Sequence, residues 1–169
     1  MKEQIKQISI LLAMIAVIIF GLIWLTNSNA KTPTSTASDE NGGTLTFQES
    51  TYDFGTISMA NGKVSKEFLL ENKSDKNVLI GEVFTSCMCT EAELNVDGKF
   101  AGPFGMQGHG LSRSANLTVK PGETITVKAI FDPAAHGPSG VGPVERQIMI
   151  STNADPGQIT LQLKAVVTP

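Results

Sequence analysis

Two cysteines, Cys87 and Cys89, flank Met88 and are the only cysteines in the chain. The thiolate is the nucleophilic and metal-binding form of cysteine, so a close thiol pair has three uses: a disulfide, a redox couple, or a grip on a soft metal ion. If the triplet is extended, a period of two sends both thiols to one face and Met88 to the other, with the cysteine Cα atoms about 6.6 Å apart. That spacing is near the upper limit for a disulfide, and parallel Cβ vectors oppose the bond further. One soft ion would bridge two parallel thiolates more readily. Downstream, residues 102–110 form a glycine-rich loop that carries Met106 and His109, and residues 133–138 carry the other histidine, His136. Thiolate and thioether select Cu(I), while imidazole accepts copper or zinc. The candidate metal set is therefore Cys87, Cys89, His109 and Met106, with His136 in reserve and copper as the suited metal. The sequence calls for no other cofactor.

Each of these residues also has a structural reading. Methionine commonly fills gaps, so Met88 and Met106 fit packing roles as well. A loop histidine is commonly solvated. The thiols could be buried, or form a strained disulfide in an oxidising compartment. A lone Cys-x-Cys lacks the setting of a thioredoxin-like motif, which leaves a thiol-redox accessory role as a third alternative. Catalysis has little support. Two loop histidines build no Ser-His-Asp arrangement, and Asp53, Asp132 and Asp155 sit where carboxylates commonly cap turns. The chain is not expected to be an enzyme. A formal charge of −3 without a basic block argues against nucleic-acid binding, which needs clustered Lys and Arg.

The elements that would position these residues begin with an apolar run. Residues 8–25 carry no charge and no proline, and as a helix they would span roughly 27 Å, near the thickness of a bilayer core. Lys2 and Lys6 precede the run, which favours a cytoplasmic N-terminus and export of the remainder. Its length favours an uncleaved signal anchor over a signal peptide cleaved near Ser28 and Ala30. Residues 1–26 are thus expected to be a transmembrane anchor. Residues 27–43, rich in Ser, Thr, Asn, Pro and Gly, are expected to be a flexible linker. The expected location is the cell membrane, single-pass, with the C-terminal domain extracytoplasmic.

From Thr44 onward the apolar period is two. In residues 124–131, Ile125, Val127, Ala129 and Phe131 share one face. In residues 158–167, Ile159, Leu161, Leu163, Ala165 and Val167 do the same. Ile148 and Ile150 point inward in residues 146–151, and Phe68 and Leu70 in residues 64–71. Further strands are expected at residues 44–49, 77–84 and 116–119. Turn signals separate them, at Asn61-Gly62, Lys73-Ser74-Asp75, Pro121-Gly122 and Asp155-Pro156-Gly157. Seven or eight short strands in residues 44–169 predict an all-β, immunoglobulin-like two-sheet sandwich.

Several motifs occur in a fixed order: Tyr52-Asp53-Phe54-Gly55-Thr56-Ile57, Glu71-Asn72-Lys73-Ser74, Ser86-Cys87-Met88-Cys89-Thr90, Lys120-Pro121-Gly122-Glu123, Phe131-Asp132 and Ser151-Thr152-Asn153-Ala154. In that order the chain resembles DUF1573, a bacterial domain of unknown function, over about residues 44–167. The resemblance implies an exported or lipid-anchored protein with a domain like those of pilus chaperones. Met88 stands where the family usually has glycine, and residues 91–116 look longer than usual. The leading expectation is a membrane-anchored binding or assembly module with a protein partner in the cell envelope. The alternatives are a copper-binding protein using Cys87 and Cys89, or a thiol-redox accessory protein.

Overall fold

A computed structural model describes residues 42–169 except Gly110 and Ser112, together with Met14. Apart from Met14, the expected anchor over residues 8–25 lies outside the described residues, as does most of the linker. Among the described residues no helix is long and apolar enough to cross a membrane.

The unit Asp39–Pro169 carries ten strands. They are β1 (Leu45–Phe47), β2 (Thr51–Ser58), β3 (Val64–Asn72), β4 (Val78–Thr85), β5 (Thr90–Val96), β6 (Lys99–Phe104), β7 (Ser114–Val119), β8 (Thr124–Phe131), β9 (Gly142–Thr152) and β10 (Gln158–Thr168). One sheet has the order β1-β3-β8-β5-β6 and the other β2-β10-β9-β4-β7. Strands pair antiparallel except β2 with β10. The two-sheet sandwich is as expected from the alternation.

The alternation is what makes the core. Ile125, Val127, Ala129 and Phe131 of β8 are all buried, as are Ile159, Leu161, Leu163, Ala165 and Val167 of β10. Phe68 and Leu70 of β3 join them, with Ile148 and Ile150 of β9 facing from the other sheet. Apolar side chains alternate inward because successive residues of a strand point to opposite faces, and burial removes only the apolar set from water.

Three strands go beyond the sequence expectation. β2 shows weak alternation because Gly55 adopts a left-handed φ of 67° and Asp53 Oδ1 accepts the Gly55 amide at 2.8 Å. Its Tyr52, Phe54 and Ile57 are only partly buried against the core. β5 and β6 form a hairpin across Asp97-Gly98, both with positive φ, and Val96 faces Lys99. Such a two-residue Asp-Gly link suits the right-handed twist of the flanking strands. β6 thus takes in residues 102–104, the first part of the segment expected to be a glycine-rich loop. Phe104 fills the core at 2% exposure.

Asn72 is the buried polar centre of the sandwich, with no exposed surface. Its Nδ2 donates to Lys76 O at 2.8 Å and to Val119 O at 2.9 Å, while Oδ1 accepts from Ser74 N at 3.1 Å and Ser74 Oγ at 2.6 Å. Its main chain closes the pair, with Asn72 N donating to Glu123 O and Gly122 N to Asn72 O. One side chain therefore joins β3 of the first sheet to β7 of the second.

Candidate functional site: a two-thiol turn at one end of the sandwich

Two connections pass from sheet to sheet and meet. Residues 86–89 link β4 to β5, and residues 132–141 link β8 to β9. The amide of Asp132 donates to Cys89 O at 2.8 Å and ties them together. Asp132 Oδ1 accepts the Ala134 amide at 2.9 Å, which turns the second loop back toward the first.

The cysteines sit in a turn, which corrects the extended geometry expected for the triplet. Thr90 N donates to Cys87 O at 3.1 Å, closing the turn. The hydroxyl of Thr85, a residue 2% exposed, lies 2.9 Å from Cys87 O and 3.0 Å from Thr90 O and shares its proton between them. The turn is required because β4 and β5 lie in different sheets, so the chain must reverse and cross here. It leaves Met88 exposed, Cys87 half-buried and Cys89 buried.

Around the sulfurs, Cys87 Sγ lies 3.0 Å from His136 Nε2 and accepts the Cys89 amide at 3.4 Å. Cys89 Sγ accepts from Arg146 Nε at 3.0 Å and lies 3.7 Å from Thr90 Oγ1. The Arg146 guanidinium stands over the Phe131 ring, 6.0 Å from its centre. Burial pushes the Cys87 thiol up, but hydrogen bonds from the side chain and backbone of Cys89, with His136 and the Arg146 charge, outweigh it and leave Cys87 below the ordinary thiol range. Burial and the bond to Cys87 raise Cys89, against the pull of Arg146 and Thr90. The two thiols are thus pushed in opposite directions, with the Arg146 guanidinium beside Cys89 and the His136 ring beside Cys87.

The sequence candidates divide accordingly. Cys87, Cys89 and His136 come together, their ligand atoms all within 4.8 Å of one another. His136, held in reserve on sequence grounds, takes the place expected for His109. His109 is exposed and outside this cluster. Met106 is half-buried and its backbone bridges Thr85, two residues before Cys87. The sequence reading missed Thr85 and Arg146. Arg146 had a signal: a period of two places it on the same face as Ile148 and Ile150, and a charged residue at a core-facing position needs a partner.

The arrangement predicts unequal thiol chemistry. Since the thiolate is the nucleophile, a lowered thiol reacts at lower pH. Iodoacetamide is expected to modify Cys87 before Cys89, with a rate that levels off at lower pH than for a free thiol. In His136→Ala that profile should move to higher pH. Equal rates at both cysteines, read by mass spectrometry, would contradict the coupling.

The other motif residues serve the fold. Asp53 and Asn72 have been described; Glu123 Oε2 accepts the Lys120 amide at 2.8 Å, and Asn153 Oδ1 accepts the Leu79 amide at 2.7 Å. Residues 45–99 match the family model of DUF1573, a protein of unknown function. The DUF1573 segment contains Asp53, Asn72 and both cysteines, whereas His136 and Arg146 lie beyond it. No curated protein matches the chain.

Among solved structures, the sandwich resembles a protein of unknown function from Porphyromonas gingivalis W83, with 18% identity and a TM-score of 0.54 over 80% of this chain and 51% of that one. The chain therefore spans about half of that structure's length, and the likeness establishes a common fold. PapD-like domain 7 of human CEP192 is 11% identical over 75% of this chain and 87% of its own, with a TM-score of 0.46. The periplasmic chaperone SfaE is 9% identical over 75% of this chain and 58% of its own, with a TM-score of 0.37.

Proposed function

We propose that this chain is a membrane-tethered, extracytoplasmic binding module that takes an extended protein segment along the open half of β3. One observation carries the reading. β3 pairs with β8 at eight positions, 64 to 71, but with β1 only at 70 to 72. β1 ends at Phe47 because the chain then crosses to the other sheet, where β2 begins at Thr51. A groove of about 420 Å³ lies beside the open edge, with Phe47, Glu49, Lys66, Leu69 and Lys73 among its lining. Phe47 and Leu69 are exposed there. A strand edge with unpaired backbone groups accepts an added strand, and neighbouring apolar side chains supply selectivity. The other edges are less open to such pairing: β2 and β7 are broken by left-handed Gly55 and Asn116, and β6 carries Pro103, which has no amide to donate.

The tether rests on the charge-free run of residues 8–25 and the lysines before it. In intact spheroplasts, added protease is expected to digest the domain, and a photo-crosslinker at Leu69 to join it to an envelope protein. Phe47→Glu is expected to abolish that adduct. Protection from protease overturns the orientation. Equal adducts from Leu69 and from Leu79, on β4 of the other sheet, overturn the groove.

A further inference from the structure

The thiol turn offers chemistry that a binding groove does not use. The geometry points to a cuprous ion site formed by Cys87, Cys89 and His136, with Arg146 as its charge-balancing group.

Distance is the first argument. The two sulfurs and a ring nitrogen lie within 4.8 Å of one another, and the Cys87–His136 separation is 3.0 Å. Three ligands in a plane around one ion, at bonds of roughly 2.0–2.3 Å, are about 3.8 Å apart, so shifts of about 1 Å bring these atoms into place. The frame for that shift is already built. Thr85 pins the turn, and the bond from Asp132 N to Cys89 O fastens the histidine loop to it. His136 is exposed and a cleft of about 60 Å³, lined in part by Met88 and Asp132, opens beside Cys89. An ion therefore has a way in.

Ligand number and charge then choose the metal. Two thiolates and an imidazole are soft to borderline donors, which suit Cu(I). Among the described residues no fourth Cys, His, Asp or Glu joins the cluster. Zinc in a structural site is almost always four-coordinate, so it would have to draw a water as well. Two thiolates with Cu(I) leave one net negative charge, and Arg146, 3.0 Å from Cys89 Sγ, cancels it. With Zn(II) the thiolates are already neutralised, and Arg146 would add an uncompensated positive charge in a partly buried place. Binding displaces the protons held by the thiol pair to solvent; copper enters and remains Cu(I), so no electron is transferred.

The test is a Cu(I) titration of the full chain in detergent, under anaerobic reducing conditions, against the chromophoric chelator bicinchoninate. One equivalent per chain is expected, with two sulfur ligands and one nitrogen ligand in the copper X-ray absorption spectrum. Cys87→Ser/Cys89→Ser should abolish competition with the chelator. His136→Ala should weaken affinity on the order of 10–100-fold, and His109→Ala and Met106→Leu should leave it unchanged. Arg146→Ala should weaken copper about tenfold and leave zinc unchanged or tighter. Circular dichroism of each variant separates lost ligands from lost fold. Copper binding that survives in the folded double serine variant overturns the site, as do equal losses in His109→Ala and His136→Ala. Equal weakening of copper and zinc by Arg146→Ala overturns the charge balance. None of these readouts depends on the β3 groove.

Discussion

Replacing Asn72 with alanine is expected to destabilise the domain by about 2–4 kcal/mol, because a buried polar group left without its partner costs about 1–3 kcal/mol. The alanine would strip Val119 O of the amide donor it meets at 2.9 Å and Ser74 N of its acceptor. Water does not readily replace them, since Asn72 is fully buried. Lys76 O would keep the hydroxyl of Ser74, 3.2 Å away, and so loses less. Ser74→Ala removes the hydroxyl that lies 2.6 Å from Asn72 Oδ1 and 3.2 Å from Lys76 O, and is expected to cost about 1 kcal/mol. Asn72→Asp keeps the acceptor but replaces the donor with a buried charge, and should be at least as damaging as alanine. Urea unfolding followed by circular dichroism ranks the three. An Asn72→Ala midpoint indistinguishable from wild type would remove Asn72 as the link between the sheets.

Phe68→Ala is expected to cost about 3–5 kcal/mol, which corresponds to roughly 10–20 °C in Tm for a domain of this size. Phe68 is 1% exposed and faces Val127 across β8, in the layer between the sheets. Alanine would lose the transfer free energy of the ring and leave a cavity that rigid strands close only in part. Its neighbour Leu69 is 58% exposed on the opposite face of the same strand. Leu69→Ala is therefore expected to change stability by only about 0.5 kcal/mol. Thermal unfolding of both variants measures the inward and outward positions against each other. Similar losses in the two would mean that β3 does not present its alternate residues as described.

β8 shows how far local patterning reaches. Its expected bounds, residues 124–131, coincide with the observed strand, and every residue expected to face inward on it is buried. β9 begins four residues before and ends one after its expected bounds, and β10 ends one residue past its own, because β9 and β10 stay paired from Gly142 opposite Val167 to Ser151 opposite Gln158. β2 escaped because a left-handed glycine interrupts its alternation, and the β5–β6 hairpin because its Asp-Gly turn lies beside a run of glycines that reads as loop.

The motif residues were visible in the sequence, but their roles were not. Asn72 reads there as the end of a strand before a turn. Only the packing of β3 against β7 makes it a buried bridge, through a partner 47 residues away. The cysteine pair is the same case. Residue types alone suggested soft-metal chemistry, but an extended triplet was the wrong geometry, because nothing local says that β4 and β5 belong to different sheets.

The sequence by itself determined the all-β class, the inward faces of the main strands and the apolar run that precedes the domain. These follow from residues one or two positions apart, whose alternation is set by the geometry of an extended backbone. The tertiary structure decided which histidine meets the thiols. His136 is 49 residues from Cys87 and arrives on the β8–β9 crossing, and Arg146 is 57 from Cys89 and arrives on β9, the strand that follows it. Strand order, and with it the meeting of two crossings at one end, is settled by burying both apolar faces at once, a condition that no single segment carries.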